Sequence, residues 1–178
     1  VSAGIVNDFS LDLSNNRIVN SAGSGLFASS GPVTGDVVAV AAGNQINTNA
    51  GGGLFLSLGP VSGDASLAVL DSEFIGNGGS GLTLFAPTVL GTLDVLIDPT
   101  SANRNGGDGM TLALSSVGDL ALTLEDVTAN DNLGLGLNLS ASSSSGSVQA
   151  AFLDVEASRN AVGGMIAILA ANQDLILG

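Results

Sequence analysis

The chain has 178 residues, with three arginines against sixteen acids for a formal net charge of −13, and it lacks Cys, His, Lys, Trp and Tyr altogether. That composition excludes disulfides, thiolate or imidazole metal sites and most nucleophile–base pairs, and the acidic balance excludes a nucleic-acid partner, which needs a basic surface. Hydrophobic residues make up 45% but aromatics only 3%, so the core has to be built from Leu, Val, Ile and Ala.

In chain order, residues 2–8 read as a turn-rich corner that returns as residues 30–36. A strand with apolar residues at every second position follows, at Phe9, Leu11 and Leu13, the period of a strand with one buried face. The same triplet returns at Val37, Ala39, Ala41, then at Ala65, Leu67, Val69, then at Leu93, Val95, Ile97. It ends with Leu120, Leu122, Leu124 and Val148, Ala150, Phe152. A short strand comes next, marked by Ile18, Ile46, Phe74, Ala102, Ala129 and Ala157. A corner of the type Asn77-Gly78-Gly79-Ser80-Gly81 then leads into an alternating strand such as Leu82, Leu84. That strand closes on a second corner at Val33, Val61, Val89 or Val117, with Ile5 in the same slot. Pro32, Pro60 and Pro87 sit in this corner, where a missing N–H costs no ladder bond.

The apolar anchors Leu26, Leu54, Leu82, Met110, Leu137 and Met165 are spaced 28, 28, 28, 27 and 28 residues apart. A fixed period of this size predicts stacked coils. The expected fold is a single all-β domain over residues 1–178, a right-handed parallel β-helix of six coils with three short strands per coil and no separate caps. Six coils at the strand spacing give a rod roughly 29 Å long. Two columns are structural. Gly25, Gly53, Gly81, Gly109, Gly136 and Gly164 precede the anchors, which calls for positive φ or a place too crowded for a Cβ. Asn49, Asn77, Asn105, Asn132 and Asn160 are set to stack as an amide ladder.

These Asn-x-x-x-Gly-[Leu/Met]-x-Leu corners resemble the parallel β-helix repeats of the pectate-lyase-like superfold, over nearly the whole chain. The resemblance implies the fold, and it leaves function open among lyases, hydrolases, tailspikes, adhesins and inert stalks. Family enzymes that cleave polygalacturonate use clustered acids with calcium and an Arg, or acids with a His. The acids here fall in two columns. One gathers Asp71, Glu73, Asp98, Glu125, Asp126, Asp154 and Glu156; the other holds Asp8, Asp36, Asp64 and Asp119. Both are candidate calcium ligands, since calcium takes several carboxylate oxygens; the alternative for the second is that each Asp caps its own turn. No His, Lys or Tyr converges on the acids, so no catalytic residue and no other cofactor is assigned.

The six Phe are placed mostly in core columns, which leaves glycan binding to polar contacts, and Asn138-Leu139-Ser140 is a lone glycosylation sequon. The longest apolar runs, such as residues 165–171, fall short of the ~20 residues of a membrane helix. The chain starts at Val1 without an initiator Met and reads as a mature or excised secreted protein. The expected function is a structural rod, an extracellular or cell-surface stalk, adhesin spacer or filament subunit; the alternative is a carbohydrate-active β-helix, enzyme or glycan binder. Residues 173–178 read as the opening of another strand, so the two ends are cut from one repeat nearly in phase, and head-to-tail stacking with a second copy is expected.

Overall fold

The computed structural model describes residues 7–178 and, for its backbone pairing alone, the Ser2–Ala3 strand. The corner slot assigned to Ile5 lies outside the described residues. The chain winds as a parallel β-solenoid of about six turns, with no helix. One seven-stranded sheet runs in the order Ser2–Ala3, Leu26–Ser30, Leu54–Ser57, Leu82–Val89, Met110–Ser116, Leu135–Ser143 and Gly163–Ala170. The second sheet runs Phe9–Asp12, Val37–Ala42, Ala65–Glu73, Leu93–Ser101, Leu120–Glu125, Val148–Leu153 and Leu175–Leu177. The predicted third strand is separate only at Arg17–Val19, Gln45–Asn47 and Val127–Thr128. In the third and fourth coils the second-sheet strand runs straight through it.

Register makes the columns physical. Leu26 pairs with Leu54, Leu54 with Leu82, Leu82 with Met110, Met110 with Leu137 and Leu137 with Met165, all parallel. A strand's inward residues therefore meet copies of themselves one coil away, and the alternation of buried and half-exposed positions in Leu54–Ser57 and Met110–Ser116 follows. Phe74, Ile46, Leu67, Leu84, Leu93, Ile97 and Leu122 fill the interior with the anchors. Between the inward residues, two outward columns run along the first sheet, Phe27–Phe55–Thr83–Thr111–Asn138–Ile166 and Ser29–Ser57–Phe85–Ala113–Ser140–Ile168.

Four expectations change. Of the six Phe, only Phe74 is fully buried; Phe27 and Phe85 are 53% and 42% exposed on the outer face, with Phe55 beside them. They occupy the outward parity of strands whose Leu residues already fill the inside. Pro87 lies within a strand rather than in a corner, at a register shift where Pro87 and Thr88 face the single residue Ser115, because the proline cannot donate to the ladder. The two ends are not in phase. The pairing puts Ser2 in the column of Ile168 and Phe9 in the column of Leu175. A second copy stacked in register would cover Leu175–Leu177 but leave residues 163–167 open.

The fourth is a narrowing: the glycine column had two causes open to it and keeps the second. None of its members has positive φ; the cause is crowding. A Cβ on Gly81 would sit 2.6 Å from Asn105 Nδ2 and 2.8 Å from the Gly109 carbonyl, and one on Gly109 would sit 2.6 Å from the Gly136 carbonyl. The left-handed residues form two other columns: Asn15, Gly43, Asp71, Asp126 and Asp154, with φ between 47° and 64°, and Asn20, Thr48, Gly76, Arg104, Asp131 and Arg159, with φ between 55° and 68°. Only Gly43 and Gly76 take that conformation at no steric cost. At Thr48, a β-branched residue for which φ > 0 is unusual, the hydroxyl bonds Asn20 Oδ1 at 2.9 Å and the Asn47 carbonyl at 2.7 Å.

The two kinds of glycine are therefore expected to respond differently. Gly76→Ala puts its methyl in ordinary contact with Thr48 Cγ2 at 3.5 Å but should lose about 1 kcal/mol for the left-handed backbone. Gly81→Ala pushes into backbone and an amide from two sides and should lose about 3 kcal/mol, the upper part of the overpacking range. Thermal unfolding of the two variants checks this, and equal losses would overturn the crowding account.

Candidate functional site

The asparagine column is the most completely bonded polar feature of the fold. Asn49 Nδ2 donates to Asn77 Oδ1 at 3.0 Å, Asn77 to Asn105 at 3.3 Å, Asn105 to Asn132 at 3.1 Å and Asn132 to Asn160 at 2.9 Å. Each acceptor oxygen also takes the backbone N–H of the preceding Asn, at 2.8 to 3.0 Å. The second amide hydrogen goes to a third-strand carbonyl, as from Asn105 Nδ2 to Phe74 O at 2.9 Å. Both N–H groups and the oxygen are thus satisfied in a buried place, where an unmade bond is costly. This column holds the corner.

The acid column Asp8, Asp36, Asp64 and Asp119 is occupied in the same way. Asp36 Oδ1 accepts the Asp64 N–H at 2.9 Å, Asp64 Oδ1 the Thr92 N–H at 2.7 Å and Asp119 Oδ1 the Ser147 N–H at 2.8 Å. Asp8 does the same for Asp36 at 3.1 Å. Each Asp therefore caps the turn of the next coil rather than its own, since in a parallel stack the nearest free N–H lies one coil on. Asp108, which the sequence reading passed over, plays this part at the first sheet. It accepts the Leu135 N–H at 2.8 Å and bonds Thr111 Oγ1 and Asn138 Nδ2 at 3.1 and 3.0 Å. Asn138, the sequon residue, is therefore held within the Leu135–Ser143 strand.

The other acid column is split. Asp71, Glu73 and Asp126 line one open groove of ≈ 250 Å³, with Ser72, Pro99, Thr100 and Ser101. Asp98 and Glu125 lie on the neighbouring strands and Asp154 and Glu156 one coil further on, all outside it. Pro99 explains the groove. Asp71, Asp126 and Asp154 bend the chain with φ of 47°, 50° and 49°. Between Asp71 and Asp126 the column position is Pro99, and a proline ring fixes φ near −65°, so this coil lacks the left-handed residue that its neighbours have here. The odd proline in a column of Asn15, Gly43, Asp71 and Asp126 is the sequence signal for it. The groove's hydroxyls are turned to the protein: Ser72 Oγ donates to Leu70 O at 2.7 Å, and Thr128 Oγ1 to Ser101 Oγ at 3.0 Å. Among the described residues no group of three or more His, Cys, Asp or Glu is placed to hold a metal ion.

Arg159 forms a two-pronged pair with Asp131, Nε to Oδ1 at 2.7 Å and Nη2 to Oδ2 at 2.9 Å. The hydrogen bond from Arg159 holds the Asp131 carboxyl below its ordinary 3.8, and the same bond raises Arg159. Both groups are well exposed, so the contribution is small. Phe27 and Phe55 stack face to face at 4.9 Å with planes 1° apart, which covers one face of each ring.

Asn105→Ala should cost about 3 kcal/mol, since it strands buried partners on both sides. Asn105→Asp should be worse at neutral pH and recover as pH falls, because the protonated acid is neutral and can donate. Melting curves across pH check both. For Asp131, whose folded value is depressed, the pair stabilises above 3.8 and is lost as pH falls through the lower folded value. The melting difference between parent and Arg159→Ala should therefore be present at pH 7 and vanish well below 3.8. Comparison of the chain with models of protein families, with curated proteins and with solved structures gives no match.

Proposed function

We propose that the chain is a structural β-solenoid rod, a stalk, spacer or filament subunit at a cell surface or outside the cell, whose last coil accepts a further coil of the same repeat. One observation carries the reading. Like residues pair without a break from Leu26 through Leu54, Leu82, Met110 and Leu137 to Met165, and Leu175 and Leu177, 48% and 62% exposed where Leu120 and Leu122 are buried, offer the edge of the second sheet. An apolar strand edge of this kind is a template for pairing. The buried Asn49–Asn160 column is spent on holding neighbouring coils, Asn44 Nδ2 alone among the described buried side-chain polar atoms lacking a partner, and the surface acids favour solubility of so apolar a chain.

A copy stacked head to tail sets Phe9 over Leu175 and continues the second sheet. Electron microscopy with light scattering over a concentration series tests it. The parent is expected to form rods of uniform width that lengthen with concentration, and Leu175→Glu with Leu177→Glu to remain short. A parent that stays one compact monomer at every concentration would sink end stacking. The acidic groove around Pro99 favours a second reading, action on a carbohydrate by paired carboxylates. Release of reducing or unsaturated ends from an acidic polysaccharide, abolished in Asp71→Asn with Asp126→Asn, would establish it in place of the rod.

A further inference from the structure

We infer that the outer face of the first sheet is a lateral docking surface for a second copy of this chain. In a molecule of net charge −13, neither outward column of that sheet contains a charged residue among the described residues. The opposite sheet differs: its strands turn Asp12, Asp94, Asp98 and Glu125 to the outside. The nearest acid to the neutral face, Asp108, has its carboxylate engaged by Leu135, Thr111 and Asn138. Two equally acidic copies repel wherever carboxylates face each other. This is the broad face on which they meet without that cost.

The apolar content of the face points to the same partner. Phe27, with Phe55 beside it, is exposed near one end of the rod, Phe85 is exposed at its middle, and Ile166 and Ile168 are 47% and 63% exposed at the other end. Thr111, Asn138 and Ser140 lie between them in the column order. A two-fold axis normal to the rod axis, passing between the third and fourth coils, sets the aromatic end of one copy against the isoleucine end of the other. The hydroxyl-bearing middles then face each other. This is an isologous contact, in which one patch serves both copies. Six strands at ~4.8 Å and about six residues each give a footprint of roughly 29 Å by 20 Å. That is about 600 Å² per copy, below the ~800 Å² of a standard interface, so the pairing is weak and depends on concentration. It is independent of the end contact, which uses Leu175 and Leu177.

Sedimentation equilibrium of the parent, Phe85→Glu and Leu175→Glu tests this, with circular dichroism to confirm that each variant folds. Beside end stacking the parent should show lateral dimers that tighten as salt is raised, because salt screens the net repulsion, and Leu175→Glu should isolate them as a monomer–dimer equilibrium. Phe85→Glu should weaken the dimer about tenfold or more, the effect of ~1.4 kcal/mol, and leave end stacking intact. Leu175→Glu should do the reverse. Because the chain has no cysteine, single-cysteine reporters are clean: Thr111→Cys should be captured as a dimer by a short bis-maleimide, and Val38→Cys, exposed on the other sheet, should not. A parent without dimer at high salt and high concentration, a Phe85→Glu dimer as tight as the parent's, or equal capture at the two cysteines would each overturn the inference.

Discussion

The rest of the structure depends on the backbone ladder between coils. Each N–H of a strand finds its carbonyl one period away, as Leu54 N does at Gly81 O and Leu82 N at Gly109 O, both near 2.9–3.0 Å. The ladder even continues through the corners, where Gly79 N reaches Gly51 O at 3.0 Å and Gly107 N reaches Gly79 O at 3.1 Å. Once coils are held at this spacing, every side chain has its own equivalent as a neighbour. An apolar column becomes core, an amide column becomes a chain of hydrogen bonds, and a column of carboxylates must find a donor for each member.

The glycine and asparagine columns are two halves of one device. The amide ladder lies against the strand entry, and Gly81 and Gly109 leave the room that Asn105 and Asn132 Nδ2 need. A side chain at the glycine would displace the amide; an amide lost would leave buried N–H groups without partners. Because the ladder is continuous, damage at one coil falls on both neighbours, as expected of a quasi-one-dimensional fold whose stability is a sum of coil and interface terms. The positive-φ column just before the ladder turns the chain so that each Asn points inward. Arginine and aspartate can sit there because the position faces solvent and the left-handed cost is about 1–2 kcal/mol, small beside what the corner holds together.

Polar groups in this molecule are directed at the molecule itself. The aspartates of the second acid column cap backbone N–H groups, the asparagines bond one another, and the hydroxyls lining the Pro99 groove turn to nearby carbonyls or to one another. What remains for other molecules is of two kinds, open apolar strand edges at the last coil and a broad sheet face without charge. The proposed end stacking and lateral pairing would use both.

The 28-residue period, the alternation within strands and the Asn and Gly columns were legible in the sequence, because a solenoid writes each spatial neighbour at a fixed separation along the chain. Leu82 and Met110 touch because they stand one period apart, and no tertiary knowledge is needed to pair them. What the sequence could not decide was which of two physical causes a column obeys. Glycine is compatible with positive φ and with crowding alike, and only the packed neighbours of Gly81 select crowding, while the left-handed turns fall on Thr48, Arg104 and Asp131. The acids were visible as columns, but whether a carboxylate faces a donor or open water depends on where the next coil places its N–H. One proline, at position 99, decided which acids share a groove, since a locked φ excludes the left-handed conformation found at Asp71 and Asp126. The exposure of Phe27 and Phe85 likewise waited on three dimensions, because hydrophobicity alone does not say which face of a strand a ring occupies.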